Sequence, residues 1–372
     1  MRLIFLIFLV VNILFACSEQ DRILPGKRED ASTAFGFSDQ DKKQFTKSNA
    51  IKLPPMKVND QWRLIASAES KNNPNLMLGE NLSEIWSVSI GKGDSRKKRL
   101  VTDPVFFENR IFTLDANSIA SAFDVNGKLL WEQDLTPPGE KSGEIFGGGL
   151  TLGQDQLFVT LSYGFVLSLD PRTGEKKWSQ RLSGAGNTVP VFDDGLVYLV
   201  SGDSKAWAIS ANNGRIKWKI DAIGNDTNLI SNNAPATSKK YAVFGFGNGE
   251  IYTTFKKGGY VLWSSSLSGR NDGRVISAID DIVASPVIVG RNVFVADGSG
   301  KVVSLKVESG DRNWTAPFGS SGNLWVAGKS LFFISNTNNL VRLKIKTGDV
   351  VWMTELPSFS EKRFGGSKKI IR

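Results

Sequence analysis

The sequence contains no histidine and a single cysteine, Cys17, among its 372 residues. A Ser–His–Asp triad and a Cys–His nucleophilic pair both require histidine, and common zinc sites require several histidine or cysteine ligands. A lone cysteine also cannot form a disulfide within the chain. The composition therefore excludes these catalytic sites, His/Cys metal sites and disulfide scaffolds.

Acidic residues are fewer than basic ones, which gives a formal net charge of +9 and a pI near 9.4. A basic balance can indicate nucleic-acid binding, and the densest basic run is Arg-Lys-Lys-Arg at residues 96–99. Because this run follows a loop flanked by Gly91 and Gly93, we interpret it as a solvated surface loop. We therefore expect no nucleic-acid partner.

A repeated pairing of glycine with tryptophan dominates the rest of the chain. Six glycines are each followed four residues later by a tryptophan, at intervals of 38 to 51 residues. Glycine tolerates the positive φ of tight turns and tryptophan is scarce, so the repetition indicates an array of similar units. The six pairs are Gly127/Trp131, Gly174/Trp178, Gly214/Trp218, Gly259/Trp263, Gly310/Trp314 and Gly348/Trp352.

The clearest unit runs from Leu157 to Leu182. Apolar segments at 157–161 and 165–169 are separated by a short turn, which predicts two antiparallel strands. A second turn ends at Gly174, and Trp178 is predicted to open the next strand. A further apolar piece precedes the units, often with proline near its start, at Pro104, Pro190, Pro235 and Pro286. Each unit is therefore predicted to contain four short strands.

A four-stranded meander that is apolar on both faces cannot bury either face alone, so the units must stack. Radial stacking predicts an all-β fold, a β-propeller of four-stranded blades. The indoles of the six pairs fit the gaps between blades, so their tryptophans and glycines are predicted to dock neighbouring blades. The other four tryptophans lack the glycine: Trp86 resembles a strand of a further unit, and Trp62, Trp207 and Trp325 are interpreted as core aromatics.

The N-terminus carries an apolar run from Leu3 to Ala16 after Arg2. The run is too short to span a bilayer comfortably and fits a secretory signal peptide, and Leu14 to Cys17 resembles a bacterial lipobox. We expect a lipid on Cys17 that holds the protein at a membrane surface facing the periplasm. The predicted division is a signal peptide at 1–16, a lipidated N-terminus and flexible tether at 17–82, and a propeller at 83–372.

Taken together, the lipobox, tether and repeats resemble the BamB family of propeller lipoproteins, within the pyrroloquinoline-quinone-like repeat superfamily. The motifs that carry the resemblance are LSEIWSVSIGKG at 82–93, SLDPRTGEKKW at 168–178, SLKVESGDRNW at 304–314 and RLKIKTGDVVW at 342–352. The resemblance implies a non-enzymatic scaffold without cofactor, lipid-anchored on the periplasmic face of the outer membrane. It implies binding to a BamA-like barrel subunit and other assembly components, with unfolded outer-membrane proteins as further partners.

The resemblance also implies an eight-bladed ring, whereas six complete units are visible, so the C-terminal end is expected to be truncated. By alignment, the implied partner-binding residues are Leu229 and Ile230, ahead of Ala234-Pro235, and Asp280 and Asp281, ahead of Pro286. This chain has Ile230 where the family has arginine and Val283 at an acidic position. Local packing of Leu229 and Ile230, and turn capping by the aspartates, remain open alternatives.

Two other functions remain open from sequence. A quinone-dependent dehydrogenase shares the repeat, but needs a carboxylate base, oxygen ligands for Ca²⁺ and commonly a paired-cysteine element that this chain lacks. Its candidate carboxylates, Asp115, Asp203 and Asp297, are more simply turn residues. A periplasmic glycan-binding propeller would need aromatic residues, most of which the blade cores use.

Overall fold

The structure, a computed structural model, describes residues 51–59, 61–62, 75–80, 82–95, 98–100, 102–186, 188–222, 233–267, 282, 284–298, 300–320, 322–357, 359–360 and 369–370. Within these residues every regular element is a β-strand. Among them, no helical segment has the length and apolar character needed to cross a bilayer.

Six antiparallel sheets of four strands follow one another in chain order, and in each sheet the strands pair sequentially. We call these sheets blades 1 to 6. The first three blades are β1 Val105–Phe107, β2 Arg110–Leu114, β3 Ile119–Asp124 and β4 Leu129–Asp134; β5 Gly148–Gly153, β6 Gln156–Leu161, β7 Phe165–Leu169 and β8 Lys176–Arg181; and β9 Val191–Asp193, β10 Leu196–Ser201, β11 Lys205–Ser210 and β12 Ile216–Asp221.

The later blades repeat the same order, and a two-stranded pair follows them. They are β13 Ala236–Thr237, β14 Tyr241–Gly245, β15 Glu250–Phe255 and β16 Val261–Ser266; β17 Val287–Val289, β18 Asn292–Ala296, β19 Val302–Lys306 and β20 Arg312–Ala316; β21 Trp325–Ala327, β22 Ser330–Ile334, β23 Asn339–Lys344 and β24 Val350–Glu355; and the pair β25 Phe359–Ser360 and β26 Lys369–Ile370.

The blades are packed around their first strands. The first strands of blades 1 and 2, 2 and 3, and 4 and 5 contact each other. The second strand of each blade is largely buried, and in β6 every residue is buried, whereas the fourth strands of blades 1 to 5 are mainly exposed. Radial order with the fourth strands outside is a β-propeller, so the predicted fold class is confirmed.

The hydrophobic core lies between blades as well as within them. One cluster joins Phe112 and Leu114 of blade 1 to Leu150 and Leu157 of blade 2. Other clusters join blade 2 to blade 3, blade 3 to blade 4 and blade 4 to blade 5. Because each cluster draws on two sheets, blades 1 to 5 bury apolar surface against their neighbours.

A β-bulge interrupts the pairing of the third and fourth strands in all six blades. In blade 2, Ser168 pairs with Trp178 while Leu169 pairs with Lys176, so Lys177 is the extra residue. A bulge bends the strand locally and increases its twist. The bulge therefore directly precedes the repeated tryptophan in every blade and contributes to the direction of its side chain.

The described residues 51–59 and 61–62, which lie before blade 1, reach two different blades. Trp62 and Phe106 exchange two backbone hydrogen bonds of 2.8 and 2.7 Å. The carbonyl oxygen of Lys52 lies 2.6 Å from where a Cβ on Gly328 would stand, in the turn between β21 and β22. This segment therefore touches both the first and the sixth blade.

The three tryptophans interpreted as core aromatics have different surroundings. Trp207 is 3% exposed, so its core role is confirmed. Trp325 is partly buried, with its ring centroid 5.1 Å from that of Phe332. Trp62 is 42% exposed, so its prediction as a core residue is wrong. Trp62 contributes its backbone to the edge of β1 and leaves much of its ring in solvent.

Candidate functional site

From Gly174 onward, each repeated glycine packs against the tryptophan of the preceding blade. Gly174 has φ +77°, and a Cβ on it would lie 2.7 Å from Cε3 of Trp131. The glycine that precedes Trp178 in the chain thus contacts a different indole, that of the blade before. The contacts between blades are Trp131/Gly174, Trp178/Gly214, Trp218/Gly259, Trp263/Gly310 and Trp314/Gly348.

The same turn that carries the glycine also accepts a hydrogen bond from the indole. The carbonyl involved lies three residues before the glycine, so ring face and ring N–H are both engaged by one turn. The five indoles donate from Trp131 to Pro171 (3.1 Å), Trp178 to Ala211 (2.7 Å), Trp218 to Lys256 (3.2 Å), Trp263 to Val307 (2.9 Å) and Trp314 to Ile345 (3.0 Å).

Trp86 belongs to this series, although it lies before blade 1. A Cβ on Gly127 would stand 2.9 Å from Cε3 of Trp86, and the Trp86 indole donates to the carbonyl of Val125 at 2.7 Å. The last member differs, because among the described residues no glycine turn contacts Trp352. Its ring centroid lies 6.1 Å from that of Phe332 in its own blade.

The other predicted site residues lie outside the described residues. These are the lipidation site and the partner-binding residues: Cys17, Leu229, Ile230, Asp280 and Asp281. The structure does describe the residues that follow the two predicted partner-binding segments, beginning at Asn233 and at Ile282.

Asn233 bonds to Ile282, and these two residues follow the two predicted partner-binding segments in the chain. Asn233 follows residues 223–232 directly and is 6% exposed. Its Nδ2 donates to the carbonyl of Ile282 at 2.8 Å and to that of Gly245 at 3.3 Å. Ile282 follows Asp281 and is buried as well. The backbone N–H of Ala234 also donates to Oγ of Ser285 at 2.9 Å. The two segments therefore lead into anchors that are hydrogen-bonded to each other.

Sequence reasoning did not single out Asn233 or Ser285. A signal exists, because a polar residue stands one or two positions before the proline that precedes an inner strand. Thr188 occupies in blade 3 the position that Asn233 occupies in blade 4, and its Oγ1 donates to the carbonyl of Val200 at 2.7 Å. The side chain before the proline thus ties the incoming chain to the neighbouring strands.

Two of the aspartates considered as candidate carboxylates serve their own turns. Oδ1 of Asp115 accepts from the backbone N–H groups of Asn117 and Ile119, both at 2.8 Å. Oδ1 of Asp297 accepts from the N–H groups of Gly300 and Lys301 at 2.8 and 2.7 Å. Within the described residues, no three His, Cys, Asp or Glu side chains are grouped so that they could hold a metal ion.

Asp203 is the centre of a small polar network in blade 3. Its carboxylate accepts from the hydroxyl of Ser201, lies 2.5 Å from Oγ of Ser183, and lies 2.5 Å from Nζ of Lys205. Ser201 in turn accepts from the Trp207 indole at 2.7 Å. Burial alone would raise the pKa of Asp203, but the hydrogen bonds from Lys205, Ser183 and Ser201 outweigh it and lower the pKa. The ionised carboxylate therefore fixes the turn between β10 and β11.

Lys256 ties blade 3 to blade 4. Its side chain is 5% exposed, and Nζ lies 2.9 Å from Oδ2 of Asp193. Its carbonyl accepts from the Trp218 indole and from the hydroxyl of Tyr198, both at 3.2 Å. Burial, with the nearby carboxylates of Asp193 and Asp194, raises the pKa of Tyr198, which stays protonated and able to donate.

The geometry of the blades agrees with comparisons to known proteins. A family model described as outer membrane protein assembly factor BamB matches residues 83–354. The chain belongs to the BamB family. The curated BamB of Yersinia pestis is 24% identical over 243 residues, which are 64% of this chain and 62% of that protein. The BamB of Salmonella typhimurium is 24% identical over 243 residues, 63% of this chain and 61% of that protein.

A solved structure supports the fold of this BamB family member. The crystal structure of BamB from Moraxella catarrhalis superposes with a TM-score of 0.59 at 17% identity, covering 68% of this chain and 75% of that chain. The chain spans less than two thirds of the length of the curated relatives described here. The sequence-based assignment to the BamB family is confirmed, and the curated relatives place the family among outer-membrane assembly factors.

Proposed function

We propose that the protein is a non-enzymatic scaffold of the outer-membrane β-barrel assembly machinery that binds a BamA-like barrel subunit through the segments that precede and follow blade 4. The observation that carries the proposal is the hydrogen bond from Asn233 to the carbonyl of Ile282. The curated relatives from Yersinia pestis and Salmonella typhimurium are named outer membrane protein assembly factors. Other assembly components and unfolded outer-membrane proteins are further partners in this proposal, and no cofactor is needed.

The anchors support a shared binding surface for the two partner-binding segments. The segment with Leu229 and Ile230 leads into Asn233, and the segment with Asp280 and Asp281 leads into Ile282. Because a buried side chain bonds these anchors, both segments start from one rigid base. A rigid base lowers the entropy lost when one partner contacts both segments. In this proposal Leu229 and Ile230 supply apolar contacts, and Asp280 and Asp281 supply negative charge, to the same binding surface.

The Trp–Gly contacts support the proposed blade-docking role of the six glycines and of five of the six tryptophans, Trp352 being the exception. In this proposal, each turn captures the face and the N–H of the preceding indole, so neighbouring blades keep a fixed angle. A platform of fixed shape is what a scaffold needs, because loops on a rigid frame bind with little reorganisation. Gly127 docks Trp86 in the same way.

The remaining parts of the proposal concern location. We propose the division into a signal peptide at 1–16, a lipidated tether at 17–82 and the propeller at 83–372. A lipid on Cys17 would hold the propeller at the periplasmic face of the outer membrane. The carboxylates of Asp115 and Asp297 are engaged by their own turns, which supports a role without catalysis.

Photocrosslinking in the native membrane tests the partner. A benzophenone amino acid replaces Leu229 in one full-length variant and Asp281 in another, with Lys346, an exposed turn residue of blade 6, as the control position. We expect the first two variants to crosslink the same barrel subunit, identified by mass spectrometry, and the control not to. Adding Asn233→Ala should weaken both crosslinks together. Crosslinks of the two positions to different proteins, or to none, would contradict the proposal.

A further inference from the structure

The turn between the third and fourth strands departs from its usual composition in blade 4. In the other five blades, polar or charged residues flank this turn, whereas in blade 4 the flanking residues are Phe255 and Tyr260. The pairs in the other blades are Asp124/Lys128, Asp170/Glu175, Ser210/Arg215, Lys306/Asp311 and Lys344/Asp349.

The backbone of this turn is the same in blade 4 as elsewhere. The N–H of Phe255 donates to the carbonyl of Tyr260 at 2.9 Å, and that of Lys306 donates to the carbonyl of Asp311 at 2.8 Å in blade 5. In blade 5 the flanking side chains form an ion pair of 3.1 Å. Blade 4 therefore keeps the turn and replaces a charged pair by two aromatic rings, so folding of the turn does not explain them.

The aromatic rings belong to an exposed apolar patch. Phe255 is 44% exposed, Tyr260 75%, Val261 46% and Leu262 36%. We call these four residues the blade 4 rim. The ring of Tyr241 lies 5.9 Å from that of Phe255 and extends the patch inward. Contiguous large apolar side chains on a protruding turn mark an interaction surface more often than an ordinary soluble surface.

Lysines border the blade 4 rim. Lys239, Lys240 and Lys257 are exposed, and the N–H of Lys256 donates to the carbonyl of Lys240 at 2.8 Å, which places the turn before β14 beside the rim. Nζ of Lys257 lies 3.4 Å from Oδ2 of Asp194. In the part of the chain that the structure describes, Lys239 and Lys240 form no ion pair. The surroundings of the rim therefore keep positive charge available for an anionic surface.

We propose that the blade 4 rim inserts into the headgroup region of an anionic membrane. Aromatic rings with a polar edge favour the boundary between water and hydrocarbon, and lysines extend their charge toward anionic headgroups. The rim also lies at the opposite end of β14 from Asn233, because Phe255 pairs with Tyr241 at one end of that strand and Asn233 donates to the carbonyl of Gly245 at the other. β16 begins at the rim with Val261 and ends at Ser266, before the segment with Asp280 and Asp281. One end of blade 4 then faces lipid and the other faces a protein partner, so this inference does not rest on the partner proposal.

A fluorescent label tests insertion, because Cys17 is the only cysteine. The full-length chain with Cys17→Ser receives Lys257→Cys, next to the rim, and an environment-sensitive label. The matched control is Lys346→Cys, the equivalent position of blade 6. We expect a blue shift for residue 257 with vesicles of phosphatidylglycerol and phosphatidylethanolamine, little shift with phosphatidylcholine vesicles, and little shift for residue 346. Equal spectra at both positions with the anionic vesicles would overturn the proposal.

Vesicle binding gives a second, independent measurement on the same full-length Cys17→Ser chain. Phe255→Lys with Tyr260→Asp installs the charged pair of blade 5, and we expect it to weaken binding to the anionic vesicles at least about tenfold. Lys239→Gln with Lys240→Gln should weaken binding to the anionic vesicles by about tenfold or more, because each lysine near an anionic membrane surface usually contributes about 1 kcal/mol. Unchanged binding by either double variant would overturn the proposal. A benzophenone at residue 260 that crosslinks a protein rather than lipid in native membranes would also overturn it.

Discussion

Replacing Gly214 by alanine is expected to disrupt the contact between blades 2 and 3. Gly214 has φ +71°, and a Cβ there would lie 2.7 Å from Cε3 and 2.9 Å from Cδ2 of Trp178. The indole cannot retreat freely, because its N–H donates to the carbonyl of Ala211 at 2.7 Å. The substitution therefore combines an unfavourable backbone conformation with a steric overlap.

The magnitude follows from these two contributions. A non-glycine residue in the left-handed region costs about 1–2 kcal/mol, and overpacking of a well-filled site costs about 1–3 kcal/mol. We expect Gly214→Ala to lower the free energy of unfolding by about 2–5 kcal/mol. Gly195→Ala is the matched control in the same blade, because Gly195 has φ +76° and its Cβ would meet no atom within 4 Å. The control should lose only about 1–2 kcal/mol.

Equilibrium unfolding in urea measures the difference between the two variants, with the slope reporting any change in exposed surface. A double-mutant cycle then isolates the ring contact, because Trp178→Leu removes the atoms that the new Cβ would meet. In that background Gly214→Ala should cost about as little as Gly195→Ala. If the two alanine variants are equally stable in the natural background, or if Trp178→Leu relieves nothing, the reasoning about blade contacts is wrong.

Three further predictions follow from other contacts. Asp203→Asn should lower the free energy of unfolding at neutral pH by about 1–2 kcal/mol. Folding lowers the pKa of Asp203 below 3.8, so the carboxylate stabilises the fold above pH 3.8 and loses this effect as the pH falls through the folded-state pKa. Urea unfolding at several pH values should show the difference between the two proteins disappear over that range. Lys256→Met should lower the free energy of unfolding by about 1–3 kcal/mol, because the carboxylate of Asp193 loses its buried cation. Adding Asp193→Asn to this variant should restore part of the lost stability, as measured by the unfolding midpoint. Trp86→Ala should speed proteolysis between residues 82 and 95 while the blades stay resistant, and unchanged cleavage would show that the Gly127 contact does not hold this segment.

Much of the fold could be predicted from the sequence because the relevant signals are local. In the clearest unit, the apolar segments predicted at 157–161 and 165–169 correspond to β6 and β7, since alternation and turn residues act over a few positions. The start of β8 could not be placed as well. Trp178 was predicted to open it, whereas the strand begins at Lys176, because the bulge adds a residue that periodicity does not reveal.

The spatial partners of the repeated residues were less accessible from the sequence. The spacing links Gly174 to Trp178, but the glycine contacts Trp131, 43 positions earlier in the chain. Likewise, the hydrogen bond from Asn233 to Ile282 joins residues 49 positions apart. Such contacts depend on how one sheet stacks on the next, which no local pattern records. A polar residue one or two positions before an inner-strand proline was the available signal, and its meaning depends on that stacking.

The contacts between blades 3 and 4 support both surfaces that we propose on blade 4, the rim and the partner surface. Besides the contact of Trp218 with Gly259, the carbonyl of Lys256 accepts from Tyr198, and its ammonium pairs with Asp193. Lys256 directly follows Phe255, so the exposed rim rests on a turn that is tied to the neighbouring blade. At the other end of the blade, Asn233 bonds to Ile282, and these residues follow the two segments proposed to bind the partner. An exposed surface binds with less loss of entropy when the chain beneath it is already ordered, so rigid support at both ends is the arrangement expected of a scaffold.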